Sequence, residues 1–203
     1  MNFRNLLPLI LLVAAACAYV IENNDTQPKE VPTPIITVQV EYDRKLYKHW
    51  TDEDKDCQDT RQEVLISESI DPVVLDDKGC RVISGRWYDL FTDNTYTNPN
   101  DLDIDHIVPL KEAHISGAHS WTAERKEQYA NDLSNPNSLI AVSKSVNRSK
   151  GAKDIAKWLP PNKAFRCEYI RRWVAVKEAW SMTMDVAETD VVETLLEGCQ
   201  KPN

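Results

Sequence analysis

The chain has 203 residues, of which 42% are hydrophobic and 28% charged, and its formal net charge is −8. These are ordinary values for a globular protein, so they exclude a disordered or collagen-like chain and indicate one domain, with room for a small appendage. The acidic net charge, taken alone, argues against a nucleic-acid partner, because phosphate groups repel an anionic surface.

The N-terminus has the pattern of an export signal. Arg4 is followed by an apolar run that ends in three alanines before Cys17. This run is too short for a membrane span, which needs about 20 apolar residues, and it predicts a signal peptide over 1–16. Two interpretations of Cys17 stay open: lipidation, as in a bacterial lipoprotein, or ordinary cleavage beside the alanines. We expect a secreted or extracytoplasmic protein (periplasm or cell surface) without a transmembrane span in the mature chain, anchored to the membrane only if Cys17 is lipidated.

Residues 17–39 contain three prolines and no glycine, which predicts a linker before a folded, monomeric domain over 40–203. That domain holds an even number of cysteines, as expected for disulfides in an oxidising compartment, and none has the CxxC spacing of a zinc or redox site. Four cysteines allow three pairings. We favour the two that join neighbours in sequence, Cys57–Cys80 and Cys167–Cys199.

The predicted elements of the domain mix helices with short strands, without the alternation of a parallel sheet, so the predicted fold class is α+β. The helix starts are indicated by capping residues and the strands by alternation of apolar and polar side chains. In the first half of the domain we predict a helix over about 61–69 after a Thr60–Glu63 capping box, strands and a turn over 80–97, and a strand from Leu102 to Val108. A helix from Thr122 to about Asp132 and a short strand from Ser138 to Val142 follow. The last two elements are a long amphipathic helix capped by Asn162 and a helix from Asp185 to Gly198.

Two motifs stand out. Residues 103–110 read DIDHIVPL, and residues 138–151 read SLIAVSKSVNRSKG. Asp-His on one strand, followed by a second strand and an Asn-Arg-Ser-Lys-Gly helix, resembles the HNH or ββα-metal nucleases. From about residue 42 to 199 the chain is similar to a branch of secreted HNH proteins, with CQDTR at 57–61, GRWY at 85–88 and WLPP at 158–161.

The resemblance implies a ββα-metal core, a hairpin plus a helix, with flanking helices and short strands. It also implies hydrolysis of phosphodiester bonds with one divalent metal, Mg²⁺ or Mn²⁺. By the resemblance, His106 is the general base, Asp105 and Asn147 are the metal ligands, and Arg148 and Lys150 contact the scissile phosphate. Arg61 and Arg86 are further candidate phosphate contacts, with ion pairing as the alternative.

One position departs from the family pattern. HNH proteins carry a middle Asn that orients the catalytic histidine through its backbone. The usual offset of nine residues before Asn147 falls on Ser138, and Asn137 is one residue away. We assign the orienting role to Asn137.

A second metal site has a weaker signal. Asp52, Asp54, Asp56 and Glu63 match positions 1, 3, 5 and 12 of an EF-hand loop, but position 6, normally Gly, is Cys57. A Ca²⁺ site and a solvated acidic loop are both compatible with this pattern.

The distribution of charge revises the argument from net charge. Residues 141–180 contain ten Lys and Arg and three Asp and Glu, a local charge of +7. An acidic protein can therefore bind nucleic acid along one basic face. We expect an exported endonuclease acting on DNA, with RNA as a further substrate, at low sequence specificity. Two alternatives are a non-catalytic envelope lipoprotein or binding module that retains the fold, and a phosphoesterase acting on small phosphates.

Overall fold

The computed structural model describes residues 41–199. Within this range the regular elements are short strands and α-helices, with a few single turns of 3-10 helix between them. In chain order they are α1 (Thr60–Glu68), β1 (Val74–Leu75), β2 (Val82–Ser84), β3 (Trp87–Asp89), β4 (Asn94–Tyr96), β5 (Leu102–His106), α2 (Leu110–Ile115), α3 (Ala123–Ala130), β6 (Leu139–Ser143), α4 (Lys144–Lys150), α5 (Arg166–Ala179) and α6 (Val186–Cys199).

The centre of the fold is an antiparallel hairpin followed by a helix. Strands β5 and β6 pair without a break from Leu102 opposite Ser143 to His106 opposite Leu139. Helix α4 follows β6 directly and packs back against both strands. The predicted α+β class, with a core hairpin plus helix and flanking elements, is confirmed, and both sequence motifs lie on this unit.

Strand β6 is buried on both faces, which explains its continuous apolar sequence. Leu139 and Ala141 pack into one core cluster, with Trp87 and other side chains from α1, β2 and β5. Ile140 and Val142 pack into a second cluster, which includes side chains of α5 and several aromatic residues. The hairpin is therefore held between two cores, and this fixes its register.

Carboxylates protect the free edge of β6. The backbone amide of Ala141 donates to Oε2 of Glu68 at 2.8 Å, and that of Ser143 donates to Oδ2 of Asp89 at 3.0 Å. These side chains satisfy amides that would otherwise be open to another strand.

The helix starts are set by side-chain caps, one of them different from the prediction. The cap of α1 is Asp59, whose Oδ1 accepts from the amide of Gln62 at 3.0 Å, and the predicted Thr60–Glu63 box is wrong. The carboxylate one residue earlier reaches the amide, so the helix begins at Thr60. At the start of α6, Asp185 and Glu188 accept hydrogen bonds from each other's backbone amides, as a capping box does.

Two disulfides each join cysteines that follow one another in the folded domain, and both predicted pairs are confirmed. Cys57–Cys80 joins the loop before α1 to the turn before β2, and Cys167–Cys199 joins the start of α5 to the end of α6.

The predicted signal peptide over 1–16, the lipidation of Cys17 and the linker over 17–39 lie outside the described residues. Between residues 41 and 199, no helix combines the length and the apolar character needed to cross a membrane.

Candidate active site

The end of β5 and the middle of α4 border one cleft of about 350 Å³. Asp105 and His106 come from β5, and Asn147 comes from α4. The residues predicted as general base and metal ligands thus all line this cleft. The hairpin register and the helix that follows it therefore bring together side chains that are about 40 positions apart in sequence.

The imidazole of His106 is buried and held in one orientation. Its Nε2 lies 3.0 Å from the carbonyl oxygen of Ala130. A carbonyl can only accept, so Nε2 carries the proton and Nδ1 is the basic nitrogen. Burial lowers the pKa of His106 to about 3, against the Ala130 hydrogen bond, which raises it. The ring is therefore neutral at pH 7, the state that a general base needs.

The indole of Trp50 stacks on this imidazole, with ring centroids 5.9 Å apart and planes 18° apart. Trp50 has a φ of 63°, in the left-handed region that non-glycine residues rarely adopt. Such a backbone costs on the order of 1–3 kcal/mol and persists only where its surroundings enforce it. The next amide, that of Thr51, donates to Oδ1 of Asn131 at 3.1 Å.

Asn131 is the buried residue that ties these parts together. Its Oδ1 also accepts from the hydroxyl of Thr60 at 2.9 Å. Its Nδ2 donates to the carbonyl oxygens of Lys48 and Glu127, each at 2.8 Å. One amide thus links the Trp50 segment, the start of α1 and the end of α3, where the carbonyl of Ala130 meets His106.

Lys150 is buried and does not line the cleft. Its side chain is fully buried, and its Nζ donates to Oδ2 of Asp105 at 2.5 Å and to the carbonyl oxygen of His106 at 2.6 Å. Burial raises the pKa of Asp105 and lowers that of Lys150, because it penalises both charged forms, and their mutual contact opposes both shifts. The predicted contact of Lys150 with a substrate phosphate is therefore corrected: a buried ammonium already bonded in this way cannot reach the substrate.

Asn147 lines the cleft with a carboxamide side chain. Its Nδ2 donates to Oδ2 of Asp103 at 3.1 Å, and the amide oxygen is the acceptor atom of the side chain. Carboxylate and amide oxygens are the ligands that hard divalent cations prefer. Mg²⁺ usually takes one or two protein carboxylates and keeps several waters, so the donor set of Asp105 and Asn147 fits such an ion.

The predicted phosphate contacts separate into two groups. Arg148 is exposed and lines the cleft beside Arg44 and Lys111. Arg61 borders Asn147 in an adjoining cleft, and burial lowers its pKa against the nearby carboxylates of Asp103 and Asp59. Arg86 instead forms an exposed ion pair with Asp71 and lines neither cleft, so ion pairing is the interpretation that the structure favours for it.

Asn137 does not take the position predicted for it. Its backbone amide donates to Oδ1 of Asn135 at 3.0 Å, and the carbonyl that meets the imidazole is that of Ala130. The amide of Ile107, next to His106, donates to the carbonyl of Ser138 instead. The chain between α3 and β6 therefore approaches His106 from the end of α3, at Ala130, which is seven residues before Asn137.

The acidic loop before α1 is compact and exposed. One carboxylate oxygen from each of Asp52, Asp54 and Asp56 lies within 4.8 Å of the others. Burial and these three aspartates raise the pKa of Glu63. Exposed acidic groups are often close together without a bound ion, and no calcium role is assigned to this loop.

A hairpin and a helix that bring Asp105, His106 and Asn147 to one cleft are the arrangement expected of a nuclease domain. The family described as "GmrSD restriction endonucleases, C-terminal domain" matches residues 48–191, most of the chain. The protein belongs to this family, and its domain is of the nuclease class.

A curated relative matches over a similar range. The chain is 38% identical over 158 residues, 78% of its own length and 76% of the relative's, to a protein described as an "Uncharacterized secreted protein" from Arthroderma benhamiae. No solved structure matches the chain. The resemblance to a secreted nuclease family is thus confirmed.

Several residues of the site were not predicted from the sequence. Trp50 and Ala130 contact His106, and Asn131 is hydrogen-bonded to the residue after Trp50. None of the three lies in a recognisable motif. Asp103 lies within the first motif, and the alternation of β5 places it on the same face as Asp105. That alternation was the signal that could have identified it.

Proposed function

We propose that the protein is an exported, metal-dependent endonuclease of the HNH type that hydrolyses phosphodiester bonds of DNA with low sequence specificity. The observation that carries this proposal is the single cleft lined by Asp105, His106 and Asn147. The family supports it at the level of a nuclease domain.

His106 would act as the general base. Nδ1 of the neutral imidazole takes a proton from a water molecule, the water oxygen bonds to phosphorus, and one ester oxygen leaves as its P–O bond breaks. Nε2 keeps its own proton and donates it to the carbonyl oxygen of Ala130, which stabilises the imidazolium that forms. The face of Trp50 also favours that positive charge.

Asp105 and Asn147 would hold the divalent ion, Mg²⁺ or Mn²⁺. When bound, such an ion supplies positive charge for the crowded anionic phosphorus centre and the leaving oxygen. Lys150 holds one oxygen of Asp105 in place and supplies a compensating charge beneath it. The Lys150 contact opposes the rise in pKa that burial imposes on this carboxyl group.

Cationic side chains at the rim would hold the substrate. The cleft is lined by three exposed cations, Arg148, Arg44 and Lys111. Contacts of this kind bind the phosphate backbone without reading bases, which is consistent with low sequence specificity.

Export is the second part of the proposal. Its support is the predicted signal peptide, the two disulfides, which form in oxidising compartments, and the secreted description of the relative. Sequencing the N-terminus of protein collected from the medium tests it, and retention of residues 1–16 in the mature chain would contradict it.

The catalytic proposal is tested with plasmid DNA and the purified mature protein. We expect nicking and then degradation with Mg²⁺ or Mn²⁺ and none with chelator. Asn147→Ala should lose cleavage, and His119→Ala, a change of an exposed histidine outside the cleft, should retain it. Plasmid that stays intact with every divalent metal contradicts the proposal. Cleavage of a small phosphate ester with intact plasmid would instead support the phosphoesterase alternative.

A further inference from the structure

A second cleft, of about 460 Å³, adjoins the first. The two clefts share Arg44, Ile104 and Asn147 in their walls. Asn147 therefore lies where the two clefts meet. A linear ligand bound at the proposed metal ligands can extend into both clefts.

The second cleft is lined by three cations, one of which, Arg61, has the carboxylates of Asp103 and Asp59 nearby. Arg44, Arg61 and Lys144 all contribute to its wall, and none of them forms an ion pair with another described residue. The carboxylate in this wall is that of Asp103, which accepts from Nδ2 of Asn147 at 3.1 Å. Three positive charges against one negative charge make the cleft a site for an anion.

The fold positions two of these cations independently. Nη2 of Arg61 donates to the carbonyl oxygens of Pro99 and Leu102 at 2.9 and 3.0 Å, which fixes the guanidinium and leaves further N–H groups for a ligand. Lys144 begins α4 three residues before Asn147, so the two share one face of the helix. A charge on Lys144 is therefore one helical turn from the proposed metal ligand.

We propose that this second cleft is a subsite for a backbone phosphate of the substrate strand, at a position flanking the scissile bond. The inference rests on the proposed function and deepens it, since it makes the substrate a strand that extends beyond the cleaved bond. Arg44, Arg61 and Lys144 bind the flanking phosphate, and Trp50 forms the adjoining wall.

Binding of a labelled single-stranded DNA oligonucleotide, followed by fluorescence anisotropy in chelator, tests the subsite apart from catalysis. Lys144→Ala should weaken binding about fivefold and reduce the slope of log affinity against log salt by about 1. Lys144→Arg should retain most of the affinity. The matched control is Lys78→Ala, an exposed lysine outside both clefts and outside the basic stretch over 141–180, which should leave the affinity near that of the wild type.

The position of the contact is tested with oligonucleotides in which one phosphate is replaced by a neutral methylphosphonate. At one flanking position, the replacement and Lys144→Ala should not be additive, because both remove the same contact. Additive losses at every position, or equal affinities for Lys144→Ala and Lys78→Ala, overturn the subsite even if the wild type cleaves DNA. If the losses are not additive and the protein cleaves no DNA, the subsite is supported and only the nuclease proposal is contradicted.

Discussion

Nζ of Lys150 lies 2.5 Å from Oδ2 of Asp105, and both side chains are buried at the end of β5. The same ammonium donates to the backbone carbonyl of His106. One buried cation on α4 therefore holds both the proposed metal ligand and the backbone of the proposed base. This makes Lys150 a positioning residue for the site.

Lys150→Met should destabilise the fold by about 3–5 kcal/mol, because it leaves the carboxylate of Asp105 buried without its partner. Urea denaturation measures this loss. The matched control is Lys153→Met, a change of an exposed lysine in the same segment, which should leave the midpoint unchanged. Equal midpoints for the two variants would show that the Asp105 contact contributes nothing to stability.

Asn131→Asp separates the two kinds of hydrogen bond that this side chain makes. The carboxylate can still accept from Thr51 and Thr60 but cannot donate to the carbonyls of Lys48 and Glu127. We expect a loss of about 1–3 kcal/mol in unfolding free energy. We also expect a lower kcat with little change in KM. Asn131 holds the segments of Trp50 and Ala130, which contact the His106 ring, and the substitution disturbs them.

Gln128→Glu is the control for that substitution, since it adds the same charge to an exposed position on α3. It should change neither kcat nor stability appreciably. If it lowers kcat as much as Asn131→Asp does, the effect comes from the added charge and not from lost hydrogen bonds.

The sequence was informative about local features of the fold and site. The motifs on β5 and α4 identified Asp105, His106 and Asn147 through their resemblance to HNH nucleases, and the structure brings these three residues to one cleft. The disulfide pairs and the Asp185 start of the last helix were also predicted. Helix α2 was missed, since Pro109 precedes it without a side-chain cap and its six residues are too few for a clear period.

Contacts between distant segments could not be predicted in the same way. Trp50 and Asn131 meet the site through hydrogen bonds and ring contacts that span tens of residues, and no local pattern encodes them. The burial of Lys150 was missed for a related reason. A lysine on a helix is usually exposed, and only the packing of α4 on β5 shows that this one faces Asp105.

Glu68 should make stability depend on pH. Burial raises its pKa from 4.5 to about 7, against the hydrogen bond from Ala141 and the charge of Arg172. A group with a raised folded-state pKa contributes stability that is fully present below pH 4.5 and is lost as the pH rises through 7. Relative to the wild type, Glu68→Gln should therefore gain stability between pH 4.5 and 7.5.

Urea midpoints at these two pH values check this prediction. Glu193→Gln, a neutralisation at an exposed position on α6, should keep a constant difference from the wild type across the range. A constant difference for Glu68→Gln as well would contradict the raised pKa.

The Cys167–Cys199 disulfide should stabilise the C-terminal helix pair. It closes a loop with a sequence separation of 32, for which the chain-entropy relation gives about 4 kcal/mol. Replacing both cysteines with serine should lower the thermal midpoint accordingly, by calorimetry, with α6 losing amide protection first. Unchanged unfolding would mean that α6 docks on α5 without the covalent link.

The most direct test of the catalytic account is the single-turnover rate of DNA cleavage by His106→Ala, compared with the wild type and with His119→Ala. All three proteins should give the same circular dichroism spectrum. Loss of the general base predicts a rate lower by roughly 10²–10⁴-fold for His106→Ala alone. A His106→Ala protein that is folded and cleaves DNA at the wild-type rate would contradict the account.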